Sequence, residues 1–167
     1  SKNLVLMGGC ALNCVANPIA YYYFDNVWIM PAPGDNGSAI GAVLAHRKHH
    51  IDWHGPYLGY YIKPSTSNEE IVDHLLEHKL CGLARGRAEF GPRALGNRSL
   101  LADPRDPNIK SIVNNIKHRQ QFRPFAPVIM EEYVQQYFRM PMKSSPYMQY
   151  AVKCLKSSLI PSVVHVD

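Results

Sequence analysis

The stretch from Ala84 to Pro127 constrains this chain more than any other. Its centre is the run Arg87-Ala88-Glu89-Phe90-Gly91-Pro92-Arg93-Ala94-Leu95-Gly96-Asn97-Arg98-Ser99. From Arg85 to Arg123, seven arginines and two lysines face three acidic residues, Glu89, Asp103 and Asp106. That local excess exceeds the formal net charge of +5, so the remainder of the chain is close to neutral. Glycines and a proline interrupt the arginines, which a solvated helical face would not need. A loop that brings its backbone close to a ligand would need them. The guanidinium is a planar, permanently charged fork suited to phosphate and carboxylate. The first expectation is a phosphate or polyanion site.

The totals set the bounds. A chain of 167 residues is one ordinary domain, or a small domain with a piece of another. Hydrophobic residues make up 46% and charged residues 19%, which excludes a disordered chain. A pI near 9.0 allows nucleic-acid binding without requiring it. The cysteines are Cys10, Cys14, Cys81 and Cys154, and the three-residue gap between the first two suits neither a redox nor a zinc pair. They read as reduced thiols of a cytoplasmic protein. No apolar run is long enough to span a membrane.

In chain order, Asn3 to Met7 reads as a buried strand ending at Gly8-Gly9. A helix is expected from Ala11 to Tyr23, bent or broken at Pro18. A strand over Val27 to Met30 follows, then a Pro-Gly turn, then a helix capped by Asp35 or Asn36 and running to about His49. The histidines between His46 and His54 fit a solvated helix C-terminus better than a metal site, since no carboxylate or cysteine nearby completes a ligand set.

The domain boundary is expected near residue 52, dividing the chain into 1–52 and 53–167. Beyond it the pattern predicts a strand over Tyr57 to Ile62 and a helix over Glu69 to Lys79, capped by Ser67 or Asn68, with Ile71, Leu75, Leu76 and Leu80 buried. Strands are expected at Cys81 to Ala84 and Arg98 to Ala102, and a helix from Asp106 through Ile116. A strand at Val128 to Met130, a helix at Glu131 to Phe138 and a strand at Tyr147 to Cys154 complete the pattern. The final Ser162 to Asp167 reads as a strand cut mid-element, as in a fragment of something larger. Residues 1–52 therefore read as α/β and residues 53–167 as α+β with helices on a mixed sheet.

Spacing alone gives the Gly8-Gly9 turn as a place where backbone amides can meet a ligand, with Asn13 either a ligand contact or a surface residue. It gives Asp35 first as a helix cap and second as a metal ligand.

Two motif groups, in order, carry a resemblance. Gly8-Gly9-Cys10-Ala11-Leu12-Asn13 with Pro33-Gly34-Asp35-Asn36-Gly37-Ser38-Ala39-Ile40-Gly41-Ala42 resembles the end of the large domain of the NodU/CmcH carbamoyltransferases. These are the O-carbamoyltransferases of Nod-factor, cephalosporin and aminoglycoside tailoring. The arginine run, starting at Gly86, and Phe122-Arg123-Pro124-Phe125-Ala126-Pro127 resemble that family's C-terminal domain.

The resemblance implies that residues 1–52 end an actin/Hsp70-like nucleotide-binding domain and that 53–167 form most of a YrdC-like domain with a mixed twisted sheet, truncated at its C-terminus. It implies that carbamoyl phosphate and ATP yield carbamoyl adenylate in the YrdC-like part. The carbamoyl group then passes to a hydroxyl of a sugar or natural-product acceptor in the actin-like part, with a divalent metal, iron or magnesium, in the full-length protein. It places Gly8, Gly9 and Asn13 at the nucleotide-binding turn. It makes Asp35 a metal ligand whose histidine partners lie outside this sequence.

The carbamoyl phosphate and ATP site is expected to comprise Arg87, Glu89, Arg93, Arg98, Ser99, Asn114, Lys117, Arg119 and Arg123, with Arg93, Arg98 and Lys117 as the catalytic group. Such transfer is mainly positioning and charge neutralisation. Glu89 is expected to orient the arginines by ion pairing rather than to contact the carbamoyl NH2, and Arg85 and Arg105 to be structural or surface residues. The alternative is a YrdC-like RNA- or nucleotide-binding module without transfer activity, with nucleic acid the less favoured partner because Phe90, Phe122 and Phe125 read as core rather than as a stacking platform. A homodimer and the remainder of the chain complete the expected partners; no membrane partner is expected.

Overall fold

The computed structural model describes residues 1–165. The chain divides into two compact units. The first comprises Ser1–Lys63, Arg85–Arg98 and Pro141–Val152; the second comprises Pro64–Ala84, Ser99–Met140 and Lys153–Asp167.

In the first unit, strand β1 (Asn3–Leu6) pairs in parallel with β2 (Asn26–Ile29), with Leu4 opposite Val27 and Leu6 opposite Ile29. Parallel partners require a crossover. Here it consists of two 3-10 turns, Gly9–Leu12 and Asn17–Tyr22, where a single helix over Ala11 to Tyr23 was expected. The physical reason is local. Pro18 has no N–H to close an α-helical bond to the Cys14 carbonyl. That carbonyl instead accepts the N–H of Ala151 at 2.8 Å. The Asn13 side-chain oxygen takes the amides of Val15 and Ala16, and its backbone carbonyl takes that of Asn17. Helix α1 (Asp35–Arg47) follows β2. Its N-cap is Gly34, so Asp35 lies in the first helical turn and is not the cap. The two glycine turns are joined, because the Gly8 N–H donates to the Pro33 carbonyl at 2.6 Å. Strand β3 (Tyr61–Ile62) is shorter than the run from Tyr57 suggested.

In the second unit, α2 (Asn68–His78) has its predicted N-terminus. Ser67 Oγ accepts the Glu70 N–H at 3.1 Å, and Glu70 accepts the Ser67 N–H at 2.7 Å, a reciprocal capping box. Ile71 and Leu75 are half-buried, whereas Leu76, expected inside, is exposed. Lys79, in the left-handed conformation, ends the helix. Strand β4 (Leu80–Ala84) then pairs with β6 (Arg98–Ala102); the short strand β5 (Gly86–Arg87) of the first unit lies between them in sequence and pairs antiparallel with β3. Helix α3 (Ile109–Ile116) buries Ile109 and Val113, one turn apart, while Ile112 and Ile116 stay exposed. Asp103 is buried and ion-paired by Arg105 at 2.7 Å and by Lys79 at 3.4 Å. Arg105 therefore has the structural role expected of it.

Several expected elements are absent among the described residues. Val128 to Met130 joins no ladder, and the helix expected from Glu131 is a 3-10 turn, Glu131–Tyr133, followed by α4 (Val134–Tyr137). Of the strand expected over Tyr147 to Cys154 only β8 (Lys153–Cys154) forms, paired antiparallel with β7 (Phe138–Arg139). Met148 has a φ of 56°, which a strand cannot hold. Pro161–Val163 is a 3-10 turn where a strand was expected, and Val166 and Asp167 lie outside the described residues. Among the described residues, the ladders beyond residue 52 are the three two-stranded pairs β3–β5, β4–β6 and β7–β8 rather than one mixed sheet.

Candidate anion-binding site

The loop between β5 and β6 is organised by one carboxylate. Glu89 Oε1 accepts the backbone N–H of Leu95 at 2.7 Å, of Asn97 at 2.8 Å and of Arg98 at 3.4 Å. Glu89 is thus structural, as expected, but what it holds is the backbone of residues 95–98. Partial burial alone would raise its pKa; the amide donors of Asn97 and Leu95 outweigh this and hold the carboxyl below its ordinary value. The turn around it requires φ values of +127° at Gly91 and +105° at Gly96. A side chain at Gly91 would also meet the Ala32 methyl at 3.2 Å. Asn97 closes the loop by donating to the Arg87 carbonyl at 2.8 Å.

The arginines of this loop divide by what their guanidinium groups touch. Arg98 donates to the carbonyls of Arg85 at 2.8 Å, Asn97 at 2.7 Å and Tyr60 at 2.8 Å, with longer contacts to Gly86. These bonds fasten its side chain to the backbone on both sides of the β3–β5 pair. Arg87 is exposed and makes one long bond, to the Gly59 carbonyl at 3.3 Å. The Arg93 side chain is half-buried and makes no hydrogen bond or ion pair among the described residues.

In the second unit an amide takes the place of the carboxylate. Asn114 is fully buried. Its Nδ2 donates to the carbonyls of Gln121 at 3.3 Å and Arg123 at 3.1 Å, and its Oδ1 accepts from Arg119 Nε at 2.6 Å. Arg119 also donates to the Pro124 carbonyl and lies 4.4 Å over the Phe125 ring. Burial first, and the charge of Arg123 second, lower the Arg119 pKa. Two guanidinium groups held near each other in this way favour an anion. The side chains of Lys117 and Arg123 are exposed and make no polar contact among the described residues. Ser99 lies half-buried in β6.

The expected set is therefore shared between the units. Arg87, Glu89, Arg93 and Arg98 belong to the first, and Ser99, Asn114, Lys117, Arg119 and Arg123 to the second. Gly8, Gly9 and Asn13 stand at the C-terminal end of β1, and Asp35 one turn beyond β2. The ends of parallel strands are where open α/β sheets bind ligands. Asp35 is a single exposed carboxylate, and no group of three metal-ligating side chains exists among the described residues. The residues present do not make a metal site by themselves.

Three contributors were missed from sequence. Tyr57 donates to the Leu95 carbonyl at 3.1 Å, and burial, with the charge of Glu89 second, raises its pKa so that it remains a donor. Asn97 was legible as an amide directly after the tight-turn Gly96. Phe125, read as core, is the surface under Arg119, while Phe122, also read as core, is 77% exposed. The four cysteines are free, and among the described residues no helix is long and apolar enough to cross a membrane.

These elements define a mixed α/β protein that displays uncommitted cations on loops with fixed backbones. The family model described as carbamoyltransferase C-terminus matches residues 72–167, more than half of the chain, and that described as carbamoyltransferase N-terminus matches residues 1–44. Nodulation protein U of Sinorhizobium fredii (strain NGR234) is 37% identical over 100% of this chain, which covers 33% of that protein. An uncharacterized protein, sll1178, of Synechocystis is 40% identical over 88% of this chain and 29% of its own length. Nodulation protein NolO of Bradyrhizobium diazoefficiens is 33% identical over 98% of this chain and 36% of its own length. The chain belongs to the carbamoyltransferase family, and it spans about a third of the length of these relatives.

Proposed function

We propose that this chain is part of an ATP-dependent O-carbamoyltransferase. Carbamoyl phosphate, ATP and one water would give carbamoyl adenylate, phosphate and pyrophosphate. The carbamoyl group would then move to a hydroxyl of a small-molecule acceptor. Residues 53–167 would act as the adenylate-forming, YrdC-like part and residues 1–52 as the end of the actin/Hsp70-like transfer part.

The observation that carries this reading is the state of Arg93. Its loop is fixed by Glu89, Gly91 and Gly96, yet its guanidinium has no hydrogen-bond or ion-pair partner among the described residues. A loop fixed in advance around an uncommitted cation stabilises developing charge without reorganisation. Arg87 adds a second cation on the same strand–loop segment. Lys117 and Arg123 supply the equivalent in the second unit, and Arg98, Asn114 and Arg119 act by positioning. Gly8, Gly9 and Asn13 would approach the nucleotide with backbone and amide groups. Asp35 would supply one oxygen ligand to a divalent metal completed by residues outside this sequence.

The test is pyrophosphate release by the full-length protein from ATP and carbamoyl phosphate. Release that needs both substrates supports the reading. Stabilisation by a short RNA, with no release, would replace it with the binding-module reading.

A further inference from the structure

Helix α2 is acidic, although the chain as a whole is basic. Between Asn68 and His78 it carries four carboxylates, Glu69, Glu70, Asp73 and Glu77, and neither Lys nor Arg. With histidine neutral, its formal charge is −4 in a chain of +5. The first turn accounts for part of this, since Glu70 closes the capping box and Glu69 sits at the positive end of the helix. The last turns carry His74, Glu77 and His78, to which neither the helix ends nor the arginine chemistry gives a role.

The run His74-Leu75-Leu76-Glu77-His78 sets two imidazoles four positions apart, with a carboxylate beside the second. Residues at i and i+4 share a helix face. The two rings accordingly meet, with centroids 4.4 Å apart. Both histidines are exposed, while Leu75 between them is half-buried, so the pair stands on the solvent side of α2. His74 makes no hydrogen bond or ion pair among the described residues. The Nε2 of His78 lies 3.6 Å from Oε2 of Glu77. That gap is close to the separation of two donors on one tetrahedral ion, about 3.4 Å for bonds of about 2.1 Å. Lys79, the next basic residue in sequence, is held instead by the Leu76 carbonyl at 3.0 Å and by Asp103 at 3.4 Å, so it does not neutralise Glu77. The C-terminal end of a helix also favours positive charge.

We propose that His74 and His78 chelate one divalent transition-metal ion on the exposed face of α2, with Glu77 supplying negative charge beside it. No three ligating side chains converge among the described residues, so water fills the remaining positions of the ion. Imidazole pairs suit Zn²⁺, Ni²⁺ and Cu²⁺, whereas Mg²⁺ and Ca²⁺ take oxygen ligands. The order His-x-x-Glu-His is one in which zinc-binding helices present two imidazoles on one face. This site lies in the second unit, whereas Asp35 belongs to the first, and it does not depend on the carbamoyl-transfer reading.

The experiment is calorimetric titration of the full-length protein with Zn²⁺, with histidine modification by diethyl pyrocarbonate mapped by mass spectrometry on the same samples. Wild type should bind a zinc equivalent that excess Mg²⁺ does not displace. His74→Ala and His78→Ala should each weaken that equivalent about tenfold or more, because the remaining imidazole has lost its chelating partner. Asp35→Ala should leave it in place. Both histidines are exposed and alanine suits a helix, so the melting temperature of either variant should stay within about 2 °C of wild type. The map needs no variant: Zn²⁺ should protect both His74 and His78 from modification in wild type, and Mg²⁺ neither. Equal zinc affinity in wild type and either histidine variant, protection of only one of the two rings, or loss of the equivalent to Mg²⁺ would each overturn the proposal.

Discussion

The Glu89 loop and the Asn114 cluster solve one problem with different groups. Each must hold arginine-rich backbone in an irregular path. The first uses a carboxylate whose oxygen collects backbone amides; the second uses a fully buried neutral amide that donates to two carbonyls and accepts from Arg119. Each leaves neighbouring cations without polar partners among the described residues: Arg93 in one, Lys117 and Arg123 in the other. The difference teaches that motif arginines divide by role. Arg98 and Arg119 serve the scaffold, and the uncommitted side chains are the ones able to meet an anion. The two scaffolds should also differ in their response to acid, since only one is built on a titrating group.

Asn114→Ala should cost about 3 kcal/mol, because it removes three hydrogen bonds at a buried position and leaves Arg119 Nε without its acceptor. Urea denaturation measures this, and a loss below about 1 kcal/mol would show that the cluster is not a scaffold.

Glu89→Gln should cost about 1 kcal/mol near neutral pH, since a neutral oxygen accepts the same amides less strongly. Its pH dependence is the sharper test. The Glu89 carboxyl has a lowered pKa in the folded protein. Its stabilising contribution is therefore present above the ordinary carboxylate pKa and lost as pH falls through the lower folded value. Wild type and Glu89→Gln should converge in stability on acidification, while Asn114→Ala should keep a constant offset from wild type. Asp103, whose carboxyl is held well below the usual range chiefly by the Arg105 hydrogen bond, adds acid sensitivity common to all three proteins. The smallest effect belongs to Arg123→Ala, within about 0.5 kcal/mol of wild type in stability, because its exposed guanidinium holds nothing in place. A larger loss in a thermal melt would place Arg123 among the scaffold residues.

Much of the fold was legible because local chemistry fixed it. The Ser67–Glu70 box set the start of α2, the apolar runs set β1 and β2, and the Ile109/Val113 spacing set the buried stripe of α3. The failures occur where distant residues intervene. The Cys14 carbonyl is taken by the N–H of Ala151, which no local window could reveal. The candidate site was legible as a set of residue types and not as a set of roles. A guanidinium binds a carbonyl or a phosphate with the same fork, so Arg93 and Arg98 look alike in sequence. Only the path of the backbone through Gly91 and Gly96 decides which one is turned inward.

Pairing Arg93→Ala with Arg98→Ala in the full-length protein separates the charge-stabilising role from the scaffold role. Denaturation midpoint and pyrophosphate release are measured on the same samples. Arg93→Ala should lower release by about a hundredfold or more while its midpoint stays near wild type, as expected for loss of a preorganised charge-stabilising group. Arg98→Ala should lower the midpoint by about 2 kcal/mol equivalent, from the carbonyls it leaves unpaired. An Arg93→Ala protein that releases pyrophosphate at the wild-type rate would contradict the account.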